Sequence, residues 1–292
     1  MSPPVQPGNG NPPSVLRMVL AKRLRHLRER AGVSQEEAAS ATEIGVAALC
    51  RMESGESAAR PRCLRALLRH YGVSGKESEE FLRLAGKAEE PGWWHSFEDA
   101  LPGWFGGYLG LEREARMLAV YEPHYVPGLL QTPDYARTLL RTGFPHETEE
   151  KIERRVALRM ERRHILRRED PPSLWLVLEE AVLRRNVGGP AVMRAQLDVL
   201  LEAVGREHIT LRVLPPGAGP HPAAGGHYGY LRFAEPGIPD MVYVESLTTA
   251  QYLQDSRDVE PYLEAHRRAS AMAAEAVPDV GARLRELREE FA

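Results

Sequence analysis

From residue 15 onward the apolar positions Val15, Val19, Leu20, Leu24 and Leu27 recur every three to four residues, and Gly32 stands just past the run. That period predicts an amphipathic helix over 15–30. Ser34 followed three places later by Glu37 forms a capping-box pair, which predicts a brief second helix to about Ala41. After Thr42, Glu43 and Ile44, the positions Val46, Leu49 and Met52 keep one apolar face for a third helix closed by Gly55. Two more helical runs, over about 61–71 and 75–86, end on or beside a glycine. Residues 14–88 are therefore expected to form an all-α five-helix unit. Residues 1–13, rich in Pro, Gly and Asn, read as a disordered arm because they hold too little apolar surface to offset ordering entropy.

Between residues 90 and 108 the texture changes to an aromatic cluster of Trp93, Trp94, Phe97, Trp104, Phe105 and Tyr108, interrupted by Pro91 and Pro102. A domain junction is expected there, with 89–170 a helical linker or subdomain. Its helices are expected over 109–119, from Pro133 after the N-cap Thr132 to just before Gly143, and over 147–168. The arginines of the last helix read as a solvated face. Beyond Pro171 the runs 174–178, 209–214, 228–233 and 241–245 read as strands, with a helix over 191–204 between the first two. That order predicts an α+β domain over 171–277, a mixed sheet with packed helices, closed by a helix over 258–276 and followed by a tail helix in 278–292. The segment 215–226, rich in Pro, Gly, Ala and His, reads as a mobile loop.

At 292 residues, 43% hydrophobic and 27% charged, the chain has the composition of a two-domain globular protein. No apolar run approaches the ~18 residues of a membrane span, and the first dozen residues lack the layout of a secretory signal, so a cytoplasmic protein with no membrane partner is expected. Cys50 and Cys63, the two cysteines of the chain, provide no disulfide framework and no cysteine-rich zinc site. The net charge of -3 conceals an asymmetry: residues 15–72 carry eleven Lys and Arg against six Glu, a local excess of five positive charges. Basic charge gathered on a small helical unit is the electrostatic footprint of a nucleic-acid binder.

The stretch Ser34-Gln35-Glu36-Glu37-Ala38-Ala39, followed at an ungapped spacing by Cys50-Arg51-Met52-Glu53-Ser54-Gly55, resembles the Cro and phage-repressor (XRE) helix-turn-helix family over about residues 18–72. A short helix, a tight turn and a second helix form the unit that lays a recognition helix in a major groove about 12 Å wide. The resemblance implies a lambda-repressor-like DNA-binding domain acting on double-stranded DNA. It also implies phosphate contact by Gln35 and a structural ion pair between Arg28 and Glu53. Gly45, Val46, Ala47, Cys50, Arg51 and Ser54 would face the DNA from the third helix, and Arg60 and Arg62 would meet the sugar-phosphate backbone. Where relatives usually carry Ser, Gln, Arg or Thr, this chain has Val46 and Ala47. Only Arg51 keeps a long donor, so direct readout is expected to be modest and thymine-leaning.

In the rear, Leu111, Glu112, Glu114, Ala115 and the run from Val126 to Ala136 (Val-Pro-Gly-Leu-Leu-Gln-Thr-Pro-Asp-Tyr-Ala), with Gly188-Gly189, Val213-Leu214-Pro215 and Tyr243-Val244-Glu245, resemble the WhiJ-like, antitoxin-like regulators over most of 91–270. That resemblance implies control through a small partner protein and not catalysis. The acid-base candidates His221, His227, Glu179, Glu180 and Glu245 show no metal-spaced His pair, nucleophile elbow or phosphate-cradling glycine loop, so neither enzymatic activity nor a cofactor or metal is expected. His221 and His227 read as surface residues. The aromatics Trp93, Trp94, Trp104, Tyr125 and Tyr243 suit either interdomain and core packing or the lining of a ligand or partner pocket. Glu179 and Arg184 suit either a pocket pair or a simple ion pair. The function expected is a sequence-specific transcriptional regulator, a homodimer on a pseudo-palindromic operator, controlled through its rear domain by a partner protein or ligand. The alternative is an antitoxin-like partner-binding protein whose DNA contact is secondary.

Overall fold

The computed structural model of the protein describes residues 15–90, 92–101, 105–234, 238–247 and 249–292. The arm expected over 1–13 and the candidate Trp104 lie outside them. The front unit consists of α1 (Val15–Arg30), α2 (Gln35–Thr42), α3 (Val46–Ser54), α4 (Pro61–His70) and α5 (Gly75–Ala88). Their inward positions, among them Leu20, Leu24, Ala38, Leu49, Leu67 and Phe81, form one buried cluster. Both halves of the capping box are made: Ser34 Oγ accepts the Glu37 amide at 3.1 Å, and the Glu37 carboxylate accepts the Ser34 amide at 2.8 Å. Ser34→Ala is expected to cost about 1 kcal/mol of front-domain stability, read as a lower thermal midpoint. The turn into α3 passes through Glu43 at φ 56°, and α3 ends on Gly55 at φ 80°, a conformation glycine adopts without a Cβ penalty.

The rear unit is built on six strands: β1 (Ala115–Glu122), β2 (Ser173–Glu179), β3 (Ile209–Leu214), β4 (Tyr228–Phe233), β5 (Met241–Glu245) and β6 (Ala250–Leu253). They lie in the order β3-β2-β1-β4-β5-β6, with β1, β2 and β3 parallel and β4, β5 and β6 antiparallel additions. Parallel neighbours need helical crossovers. The first is supplied by α7 (Pro133–Gly143) and α8 (Glu149–Arg162), the second by α9 (Glu180–Arg184) and α10 (Pro190–Val204). One face of the sheet, with Leu118, Leu176, Leu211 and Leu231, belongs to the same core as Leu111 of α6 (Phe105–Glu114), Leu197 of α10 and Leu284 of α12 (Val280–Glu289). The other face, with Ala119, Val177, Tyr230 and Val242, packs on α11 (Ser256–Ala276). Met18 of α1 is buried in the first of these cores, which joins the front unit to the rear one.

Two expectations are corrected. The helix read over 109–119 ends at Glu114, and the chain passes without a loop into β1. The first sheet strand therefore lies inside the segment read as a helical subdomain, and the rear domain does not begin at 171. Both faces of β1 are buried, so its alternation left no polar beat, and Leu111, Ala115 and Leu118 mimic a helical repeat. The arginine-rich helix after 147 ends at Arg162, followed by a 3-10 turn over Arg163–Leu166. Its arginine face is not solvated, since Arg155 and Arg162 are buried.

Candidate nucleic-acid interface and rear-domain cleft

The α2-turn-α3 unit turns Leu49 and Met52 inward and leaves Gly45, Val46, Ala47, Cys50, Arg51 and Ser54 exposed. Val46 is 42% exposed, an apolar side chain with no core to join. Ser54 donates its hydroxyl to the Arg51 carbonyl at 3.2 Å and so caps the helix end. Arg60 is the N-cap residue of α4 with no side-chain cap bond, and Arg62 follows one residue after Pro61. Arg51, Arg60, Arg62, Arg65 and Arg69 are exposed and have no ion-pair partner among the described residues. By contrast Arg25 and Arg28 are paired with Glu29 and Glu53. Among the described residues these five arginines, one on α3, one at the N-cap of α4 and three along α4, are thus left outside any ion pair.

The frame behind this face is held by one buried carboxylate. Glu53 of α3 accepts Arg28 Nε at 2.8 Å and Nη2 at 3.0 Å from α1, and Gln35 Nε2 at 2.8 Å from α2. Arg28 Nη1 also donates to the Val33 carbonyl at 2.9 Å. The hydrogen bond to Glu53 holds the Arg28 pKa above its ordinary value. Gln35, which the resemblance assigned to phosphate, is here committed to Glu53.

The pocket candidates separate. Trp94 lies over Gly92 and Gly110, where a Cβ at Gly110 would stand 3.2 Å from the indole, and Trp93 packs edge-on against Trp94 and Phe97. These two tryptophans therefore act as packing at the junction. Glu179 and Arg184 do not meet. Arg184 pairs with Glu180 at 2.9 Å and with Glu290, whereas Glu179 Oε1 accepts Tyr121 Oη at 2.8 Å and lies 2.9 Å from His221 Nε2. The His221 side chain is only 8% exposed and His227 is largely enclosed, so neither is the surface residue expected; the 215–226 segment folds back, burying Ala223. A histidine in a Gly- and Pro-rich stretch carries no sign of such a fold-back in its local composition.

Tyr125 and Tyr243 do line a cleft, of about 610 Å³, between the β1-β4-β5 face of the sheet and α8. Three arginines one turn apart on α8, Arg155, Arg159 and Arg162, face toward it. Arg155 is held by Glu147 through two bonds of 2.8 Å, and Arg162 by Glu112 of α6 at 2.8 and 3.0 Å. Burial alone would lower the Arg162 pKa, but the Glu112 charge and hydrogen bonds leave it raised. Arg159 is pulled down to about 10, first by burial and then by its neighbour Arg162. Opposite, burial and then the Glu245 charge push Glu122 up to about 8, so it is protonated at neutral pH. Burial lowers the pKa of His227, whose Nδ1 lies 3.9 Å from Glu122. Sequence reasoning passed over Arg159 and Glu122, and met Glu112 only as part of the rear-domain resemblance; the i, i+4, i+7 spacing of the α8 arginines was the signal available.

Among the described residues no group of three or more His, Cys, Asp or Glu side chains is placed to hold a metal, and no helix is long and apolar enough to cross a membrane. A five-helix unit with a capped α2, a tight turn and an exposed, arginine-bearing α3 defines a helix-turn-helix protein. Residues 19–81 match the helix-turn-helix domain model, and residues 105–278 match the model described as a domain of unknown function, DUF5753. The chain belongs to the DUF5753 family, with a helix-turn-helix domain in front of the family's domain. No curated protein and no solved structure matches the chain.

Proposed function

We propose that the chain is a sequence-specific DNA-binding transcriptional regulator that acts as a homodimer on a pseudo-palindromic operator and is controlled through its rear domain by a ligand or partner protein. The observation that carries this reading is the exposed face of α3, which bears Arg51, followed in the chain by Arg60 and Arg62 at the start of α4, none of the three in an ion pair among the described residues. In this proposal α3 enters the major groove, Val46 and Ala47 touch thymine methyl groups, and Arg51 makes the one long-donor base contact. Arg60 and Arg62 neutralise phosphates, which supplies affinity without sequence information. Two copies of α3 would sit about 34 Å apart in successive grooves. Burial of Met18 in the rear core supports communication between the halves, because α1 cannot shift without disturbing that contact. The proposal assigns no catalysis to the rear domain: among the described residues, no Ser, Cys or Lys side chain hydrogen-bonds to the Tyr121, Glu179 and His221 cluster.

Arg51→Ala is expected to reduce discrimination between operator and altered operator by roughly 1–3 kcal/mol. Arg60→Ala is expected to weaken all duplexes alike and to lower the slope of log K against log salt by about one. Titration of both variants against the two duplexes separates these outcomes. Unchanged operator preference in Arg51→Ala would contradict the placing of α3 in the groove.

A further inference from the structure

We propose that the rear cleft is a binding site for a small organic monoanion, an apolar body carrying one carboxylate, with the carboxylate seated on Arg159. At about 610 Å³ the cleft falls within the 300–1,000 Å³ range of small-molecule sites. Its walls are mostly apolar, including Val120, Leu139, Leu140, Phe144 and Leu158. Its floor is opened by Gly229, which sits in β4 between Val120 of β1 and Tyr243 of β5. A Cβ there would find only the Tyr108 hydroxyl, 3.9 Å away, so packing does not demand the glycine. Glycine inside a central strand weakens it and often marks close approach of a ligand.

The charge arrangement selects the ligand. Of the three arginines on the α8 face, two are neutralised by bidentate carboxylates, but Arg159 donates Nη1 to the neutral Gln131 Oε1 at 2.6 Å and makes no ion pair among the described residues. A half-buried guanidinium with N–H groups to spare is costly unless an anion meets it, and its fork suits a planar carboxylate. Glu245, which accepts the Tyr243 hydroxyl at 2.8 Å, brings one negative charge to the same cleft, whereas Glu122 is held neutral and can donate its proton to a ligand oxygen. With Arg159 outside any ion pair among the described residues and the Glu245 carboxylate already present, a second ligand charge would meet repulsion, so a monoanion is favoured over a phosphate dianion. Tyr125, 40% exposed, and Leu247, 99% exposed, lie with the exposed His124 and Ser246 at the mouth. Binding itself stands apart from the DNA-binding reading; only its use as a control signal rests on that reading.

The test is calorimetric titration of the full chain with three matched pairs, 1-naphthaleneacetate, indole-3-acetate and octanoate, each against its neutral amide, and with 1-naphthyl phosphate as the dianion. At least one acid is expected to bind roughly ten- to a hundredfold more tightly than its amide, the value of one charge-assisted hydrogen-bonded pair. It should also bind more tightly than the phosphate. Arg159→Met should bring that acid down to the affinity of its amide and leave the amide unchanged. Should Arg159→Met not fold, Leu247→Glu, a substitution at a fully exposed mouth position, is expected to weaken the acid and spare the amide. No preference for acid over amide in any pair, preference for the phosphate, or unchanged acid binding in both variants would overturn the proposal. Loss of specific DNA binding in a chain that still takes up the acid would count against the regulator reading and not against the cleft.

Discussion

Glu53→Ala is expected to unfold the front domain at temperatures where the unaltered chain is intact. The substitution leaves the Arg28 guanidinium buried without its carboxylate and deprives Gln35 of its acceptor, while the Glu53 side chain it removes is only 2% exposed. Breaking a buried pair from one side costs about 3–5 kcal/mol. A domain of about 75 residues has only ~4–11 kcal/mol in all, so this loss consumes much of it. Circular dichroism at the helical minimum should show an early transition carrying the front-domain helices. Replacing both partners, Arg28→Met with Glu53→Leu, should recover most of the stability, because no uncompensated charge remains. Equal stability of Glu53→Ala and the unaltered chain would mean that the bond network through Glu53 does not hold α1, α2 and α3 together.

Glu112→Ala is expected to have an effect of similar size on the rear domain. Glu112 is 2% exposed and faces Arg162, whose guanidinium also lies 5.0 Å from the Phe105 ring and 5.7 Å from the Tyr108 ring. Removing the carboxylate leaves a buried cation between aromatic rings, the Gly128 backbone, where a Cβ would be 3.0 Å from Nη1, and the cleft. A cation over an aromatic face recovers about 1–2 kcal/mol, less than the pair supplies. At about 3–5 kcal/mol, the rear-domain midpoint should fall by roughly 6–20 °C. Glu112→Gln, which keeps the shape and one acceptor, should fall between. Because Glu112 belongs to α6 and Arg162 to α8, hydrogen exchange should quicken first in these two helices. Uniform exchange across the whole sheet would instead point to global loss of the core.

These two pairs also show what the chain discloses of itself and what it conceals. The front domain was legible because its signals are local: Ser34 with Glu37 three residues on, Gly55 at a helix end, and one apolar stripe per helix. The rear sheet was legible where strands are bounded by Pro and Gly, as with β2 before its helix and β4 after Gly225-Gly226. It was hidden at β1, where α6 runs directly into a strand buried on both faces, and at β6, four residues long, too short for a periodic pattern. The cleft was hidden for another reason. Arg155 and Arg159 look like solvated surface in sequence, because the groups that enclose them, Glu147, Gln131 and the sheet, meet them only in three dimensions. Trp93 and Trp94 drew attention by size, yet they pack the junction, while the less conspicuous Arg159 stands in the cleft.

The most direct measurement of the central claim is binding of the full chain to duplex DNA from its own promoter and to a scrambled duplex of equal length and composition, across a salt series. The account predicts a clear preference for the promoter at every salt concentration, with affinity for both duplexes falling steeply as salt rises. Equal affinity for the two duplexes, or no binding to either at low salt, would contradict it.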